Sequence, residues 1–170
     1  MPSAALTLTR AFCQLCVFRI GPQDIPASNA LLLITAVLNL SLSALINNIQ
    51  LPLASAVLVA VLELLVLASL TSAILFYFAH LPRLRQTLTA LFGSGAVIGG
   101  TVWVLLSVFE ELPNPVRMCV FLWNLLVMAH VIRHAVSVHI VAAFFMALAY
   151  ALSLIQLIIF VGRLLSAPVA

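Results

Sequence analysis

Residues 53–80, LASAVLVAVLELLVLASLTSAILFYFAH, decide the fold of this chain. The run carries one charged residue, Glu63, and exceeds the roughly 20 apolar residues that a helix needs to cross the ~30 Å hydrocarbon core of a bilayer. Lipid offers backbone amides and carbonyls no partners, so a segment of this kind spans as a helix that bonds its own backbone. Its length leaves room to tilt or protrude.

Working outward from this run, the same pattern recurs. Upstream, Asn47, Asn48, Gln50 and Pro52 make a short polar turn after an apolar span over 28–47, which Ser28 or Asn29 can cap. Downstream, Pro82, Arg83 and Arg85 form the next turn, and a third span covers 87–109 before Glu110, Glu111, Pro113, Asn114 and Pro115 break the chain. The stretch 116–161 is too long for one crossing, so it turns near Arg133, His134 and Ser137 into spans 116–134 and 138–161. That turn holds neither glycine nor proline, and a single long bent helix is the alternative.

Ahead of the spans, residues 4–20 place Leu8, Phe12 and Leu15 on one side of a helix and Arg10 and Gln14 on the other. This reads as an interfacial amphipathic helix. Pro22 and Pro26 then stop it, because proline lacks the amide hydrogen and disfavours helix in the preceding residue. Arg10 and Arg19 interrupt the apolar stretch that a signal peptide would need, so the amino terminus is expected to be retained. The expected fold is thus all-α, an integral membrane bundle of about five transmembrane helices over 28–170, preceded by the interfacial helix and linker of 1–27. No internal repeat is visible.

Composition agrees. The 170 residues are 65% hydrophobic and 6% charged, against roughly 25% charged in soluble domains, so a water-soluble fold could not cover this apolar surface. A net charge of +3 comes from arginines with no lysine, spread too thinly for a nucleic-acid surface. Arginines near short loops favour the cytoplasm. An inside amino terminus puts Arg10, Arg19, Arg83, Arg85 and Arg133 there and leaves Arg117 and Arg163 outside with Glu110 and Glu111. The carboxyl terminus then lies on the opposite side. The inner membrane of a bacterial cell is the expected location.

Candidate chemistry is sparse. Asn39, Glu63, Asn124 and Tyr150 each fall near the middle of a different span and could meet inside the bundle. A carboxylate in hydrocarbon costs several kcal/mol unless protonated, paired or hydrated. Glu63 therefore reads either as a neutral group bonded to a neighbouring helix, for instance at Asn39, or as part of a proton or substrate relay. Gly93, Gly95, Gly99 and Gly100 form a small-residue ridge suited to close helix packing, inside the bundle or at a dimer seam. His130 and His134 stand one turn apart, and with His80 they could hold a metal or the iron of a b-type haem, though interfacial histidines also sit comfortably near headgroups. Cys13 and Cys16 have redox spacing but lie on the amphipathic helix, without the strand-helix context that gives the motif meaning. With Cys119 they make an odd count, which argues against a disulfide framework. No phosphate loop, zinc-protease signature or nucleophile with a base is present.

The five closely spaced spans, the short loops and Leu91-Phe92-Gly93 in the third span together resemble the Ypt-interacting-protein (Yip) family of small membrane proteins. The resemblance covers most of the chain from Arg19 onward, including the region from Trp123 to His139. Eukaryotic members carry an Asp-Leu-Tyr-Gly-Pro motif before the first span, where this chain has Gly21-Pro22-Gln23-Asp24-Ile25-Pro26. The resemblance implies a five-span bundle that acts through partners. Together these features lead to the expectation of a non-enzymatic scaffold or accessory subunit without a cofactor, embedded in the lipid bilayer and associated with other integral membrane proteins or itself. The alternatives are a transporter or channel component using Glu63, and a haem-binding electron-transfer subunit.

Overall fold

A computed structural model describes residues 4–109 and 112–166, so the expected break at Glu110 and Glu111 lies outside the described residues. Among the described residues there are six α-helices: α1 Ala4–Cys16, α2 Asn29–Asn47, α3 Leu53–Tyr77, α4 Leu84–Val108, α5 Asn114–Val136 and α6 Ile140–Ser166. Five of them, α2 to α6, are long and apolar enough to cross a membrane. Between 17% and 33% of the most apolar window of each span is buried by the rest of the chain, which leaves most of that surface facing outward.

Prolines start helices here and non-glycine caps end them. Pro52 and Pro113 are the N-cap residues of α3 and α5, where a missing amide hydrogen costs nothing. Ser28 accepts the Leu31 amide at 3.5 Å to open α2. At the end of α1, Phe18 takes a left-handed conformation (φ 60°) while the Arg19 amide reaches the Gln14 carbonyl at 2.9 Å and the Phe18 amide reaches that of Leu15 at 3.1 Å. Ala79 (φ 56°) closes α3 in the same way, with the His80 amide on the Leu75 carbonyl at 2.7 Å. Ser137 (φ 59°) ends α5, and the chain turns there into α6 without glycine or proline. Helix α4 begins three residues before the expected Thr87, because the turn after α3 is a single 3-10 turn, Leu81–Arg83, that runs straight into it.

The five long helices close a ring. Contacts run from α2 to α3, α3 to α6, α6 to α5, α5 to α4 and α4 back to α2, with α2 on α4 the most extensive pair and α3 also touching α4. Helix α1 packs outside the ring on α4.

This last contact changes the reading of the amino terminus. The sidedness of α1 is as its sequence suggests, with Phe12, Leu15 and Cys16 buried and Arg10 exposed, but its apolar face is covered by the bundle. Phe12 lies over Gly93, the Cys16 thiol faces the Ser94 carbonyl at 3.8 Å, and the Trp123 indole N–H donates to the Cys16 carbonyl at 2.9 Å. The chain returns along α5, where His130 Nε2 donates to the Ile20 carbonyl at 3.0 Å. It then meets α4, where the Gln86 amide donates to the carbonyls of Gln23 at 2.9 Å and Ile25 at 2.7 Å. These side-chain bonds satisfy the backbone that leaves the helix and tie the described residues 4–27 to α4 and α5.

Candidate functional site

A ring of five helices leaves space at its centre, and here that space is a cavity of about 290 Å³ walled by all five. Asn39, Ser43 and Asn47 of α2, Glu63 of α3, Asn124 of α5 and Tyr150 of α6 supply its polar lining, while α4 contributes Gly95 and Gly99. The four residues singled out by their mid-span positions thus line one cavity, although they come from helices far apart in sequence.

Glu63 is held by α2. The Ser43 hydroxyl donates to Glu63 Oε2, and the Asn47 amide lies 3.5 Å from Oε1 and 3.3 Å from Ser43 Oγ. The partners of the carboxyl are therefore Ser43 and Asn47, one and two turns beyond the expected Asn39. The signal for them was present: Asn39, Ser43 and Asn47 recur every four residues and make one polar stripe along an otherwise apolar helix. Asn39, Asn124 and Tyr150 make no side-chain hydrogen bond among the described residues, so their polar groups are free to serve whatever occupies the cavity.

The space continues toward the turn between α2 and α3. A second cavity of about 220 Å³, lined by Gln50, Leu51, Val59, Ile158 and others, shares Ile46 and Asn47 with the first. Asn47 therefore lines both cavities.

The glycines shape the walls. A Cβ at Gly95 would lie 2.5 Å from Asn39 Oδ1, so only glycine lets α2 and α4 approach this closely with the amide between them. Gly99 and Gly100 face Leu42 at ordinary contact distance, and Gly93 lies beneath the Phe12 ring. The ridge is thereby used within the chain, against α2 and α1.

The histidines serve the backbone. A carbonyl can only accept, so each ring nitrogen facing one carries the hydrogen. His134 Nδ1 donates to the His130 carbonyl at 2.9 Å, His130 Nε2 to Ile20, and His80 Nδ1 to Phe78. The His130 and His134 rings lie 4.3 Å apart on one helix, with Phe18 edge-on to His130. Among the described residues no group of three or more metal-binding side chains gathers, and His80 Nδ1 is bonded within its own turn.

Cys13 is exposed and Cys16 buried, and both are free thiols. Burial first, and the neighbouring Cys13 second, push the Cys16 thiol from its ordinary 9.0 up to about 12. At pH 8 Cys16 is thus held as the neutral thiol and not as the nucleophilic thiolate. Iodoacetamide at pH 8 should therefore alkylate Cys13 and spare Cys16 until detergent unfolds the chain, as read by peptide mass spectrometry. Because the folded value lies above the unfolded one, the neutral thiol supports the fold below about pH 9, and this support is lost as pH rises toward 12.

Comparison with protein-family models, curated proteins and solved structures finds no match to this chain.

Proposed function

We propose that this chain is a non-enzymatic integral membrane protein that takes up a proton or a small cation at Glu63, as a transporter or channel component. The observation that carries this reading is the shared cavity: the single acid of the five spans faces it together with Asn39, Ser43, Asn47, Asn124 and Tyr150. An intramembrane carboxyl is expensive, and such groups face cavities, ion paths or relays. Ser43 and Asn47 fix the carboxyl, and its remaining lone pairs can take a proton or replace part of a cation's water shell. The unbonded amides of Asn39 and Asn124 and the Tyr150 hydroxyl add further ligands. The decisive experiment is ion flux into liposomes holding the purified protein, wild type beside Glu63→Gln; equal flux from the two would refute this role for the carboxyl.

We place the amino terminus in the cytoplasm of a bacterial cell, on the arginine bias of the turns. Five spans then set a carboxyl-terminal reporter on the far side. A phosphatase fused there should be active and a fluorescent protein dark, and the reverse pattern would overturn this topology. In this orientation α1, too short at 13 residues to cross, reaches partway into the bundle from the cytoplasmic face.

A second reading, the partner-binding bundle that the Yip resemblance implies, draws on the short loops. Gly93, Gly95 and Gly99 give it less support than their spacing suggests, since α1 and α2 already occupy them.

A further inference from the structure

A cavity of about 560 Å³ lies away from Glu63, at the end of the bundle where α4 begins and α5 ends. It is lined by Arg83, Gln86 and Thr87 of the first turns around α4, by Arg133 and His134 of α5, and by Gln23 of the returning amino-terminal segment. Arg83 donates to the Ala135 carbonyl at 3.1 Å, which anchors one guanidinium at the rim. Arg133 makes no hydrogen bond among the described residues. His134 commits Nδ1 to its own helix and so keeps Nε2 free. Gln86 clamps the amino-terminal segment against the cavity through Gln23 and Ile25, which makes the wall a fixed part of the fold.

The charged side chains that line this space are of one sign. Among the described residues no carboxylate lines it, and Asp24, beside Gln23, turns Oδ2 back to the Gly21 amide at 2.9 Å. The first turn of α4, a helix of 25 residues, adds the positive end of its dipole, and the last turn of α5 the negative end of its own, so the balance of the space is set by Arg83 and Arg133. Two guanidiniums with a helix amino terminus recognise a tetrahedral oxyanion, and basic pockets between membrane helices hold anionic headgroups.

We propose that this cavity binds a phosphate group, carried by an anionic phospholipid or present as free inorganic phosphate. The site is independent of the role assigned to Glu63. The test is the thermal unfolding midpoint of the full chain in mild detergent. One arm adds phosphatidylglycerol against the same amount of phosphatidylcholine, and the other adds sodium phosphate against sodium chloride at equal ionic strength. A ligand about 100-fold above its dissociation constant raises the midpoint by about 5 °C or more. Arg133→Gln should remove most of that shift, whereas Arg85→Gln, which deletes the same charge from the same end but outside the cavity, should keep it. A shift with phosphatidylglycerol alone assigns the site to a headgroup, and a shift with inorganic phosphate shows that the phosphate group suffices. The proposal is overturned if neither arm exceeds its control, if Arg133→Gln retains the full shift, or if Arg85→Gln loses as much as Arg133→Gln. Arg133 has no hydrogen bond to lose, so its variant should fold even if Arg83→Gln, which frees the Ala135 carbonyl, does not.

Discussion

Glu63→Gln is expected to cut ion flux into protein-bearing liposomes by about tenfold or more while leaving the helical content and the elution volume unchanged. The amide keeps the size of the carboxyl; its single oxygen can accept from Asn47 while its NH2 donates to the Ser43 oxygen, so the α2–α3 contact survives. It loses the ability to bind a proton or to offer charge to a cation, and removal of one charged hydrogen-bond partner alone is worth about 1.5–3 kcal/mol, of which 1.4 kcal/mol is already tenfold. Asn47→Ala provides the graded counterpart: it opens the junction between the two cavities and removes one donor, so flux should change severalfold without disappearing. Flux measured with an internal pH dye and separately with sodium and potassium gradients identifies the ion. Full activity in Glu63→Gln would mean that the carboxyl is only an adhesive between helices.

Gly93→Leu should be the most disruptive single change outside the cavity. Even a Cβ there would lie 2.4 Å from Phe12 Cδ1 and closer still to Cε1, and Phe12 is 7% exposed, so the ring would have to shift. Overpacking of this kind costs about 1–3 kcal/mol. The outcome has a specific form. Because α1 lies outside the ring, the lesion should expel α1 and spare α2 to α6, which would make Cys16 open to alkylation at pH 8 while the cavity stays intact. Phe12→Ala in the same chain returns the space, so the double variant should be more stable than Gly93→Leu alone and should protect Cys16 again. Strictly additive losses, with Cys16 protected in both single variants, would show that the two residues do not press on each other.

These contrasts mark what the sequence can carry. Apolar runs of span length fix the long helices, since few other structures bury their backbone in lipid, and a lone acid inside such a run stands out. The placement of α1 is a different problem. An amphipathic pattern says that one face seeks apolar surroundings, and it says the same whether those are acyl chains or a groove over Gly93. The basic cavity was equally hidden, because Arg83, Arg133 and Gln23 come together only after α4 and α5 pack. Helix ends at Phe18, Ala79 and Ser137 escaped for a local reason: each takes the left-handed conformation that glycine usually signals, at about 1–2 kcal/mol to a residue with a Cβ. At Ser137 the change of direction was still legible from length, because no span can be as long as 116–161.

The docking of α1 also sets an order on synthesis. Its residues are synthesised before the surfaces they rest on, Gly93, Trp123 and His130, which follow some 80 to 110 residues later. Until α4 and α5 have been made, α1 lacks the full surface that covers Phe12, Leu15 and Cys16 in the finished fold, and an amphipathic helix can wait on a lipid surface in the meantime.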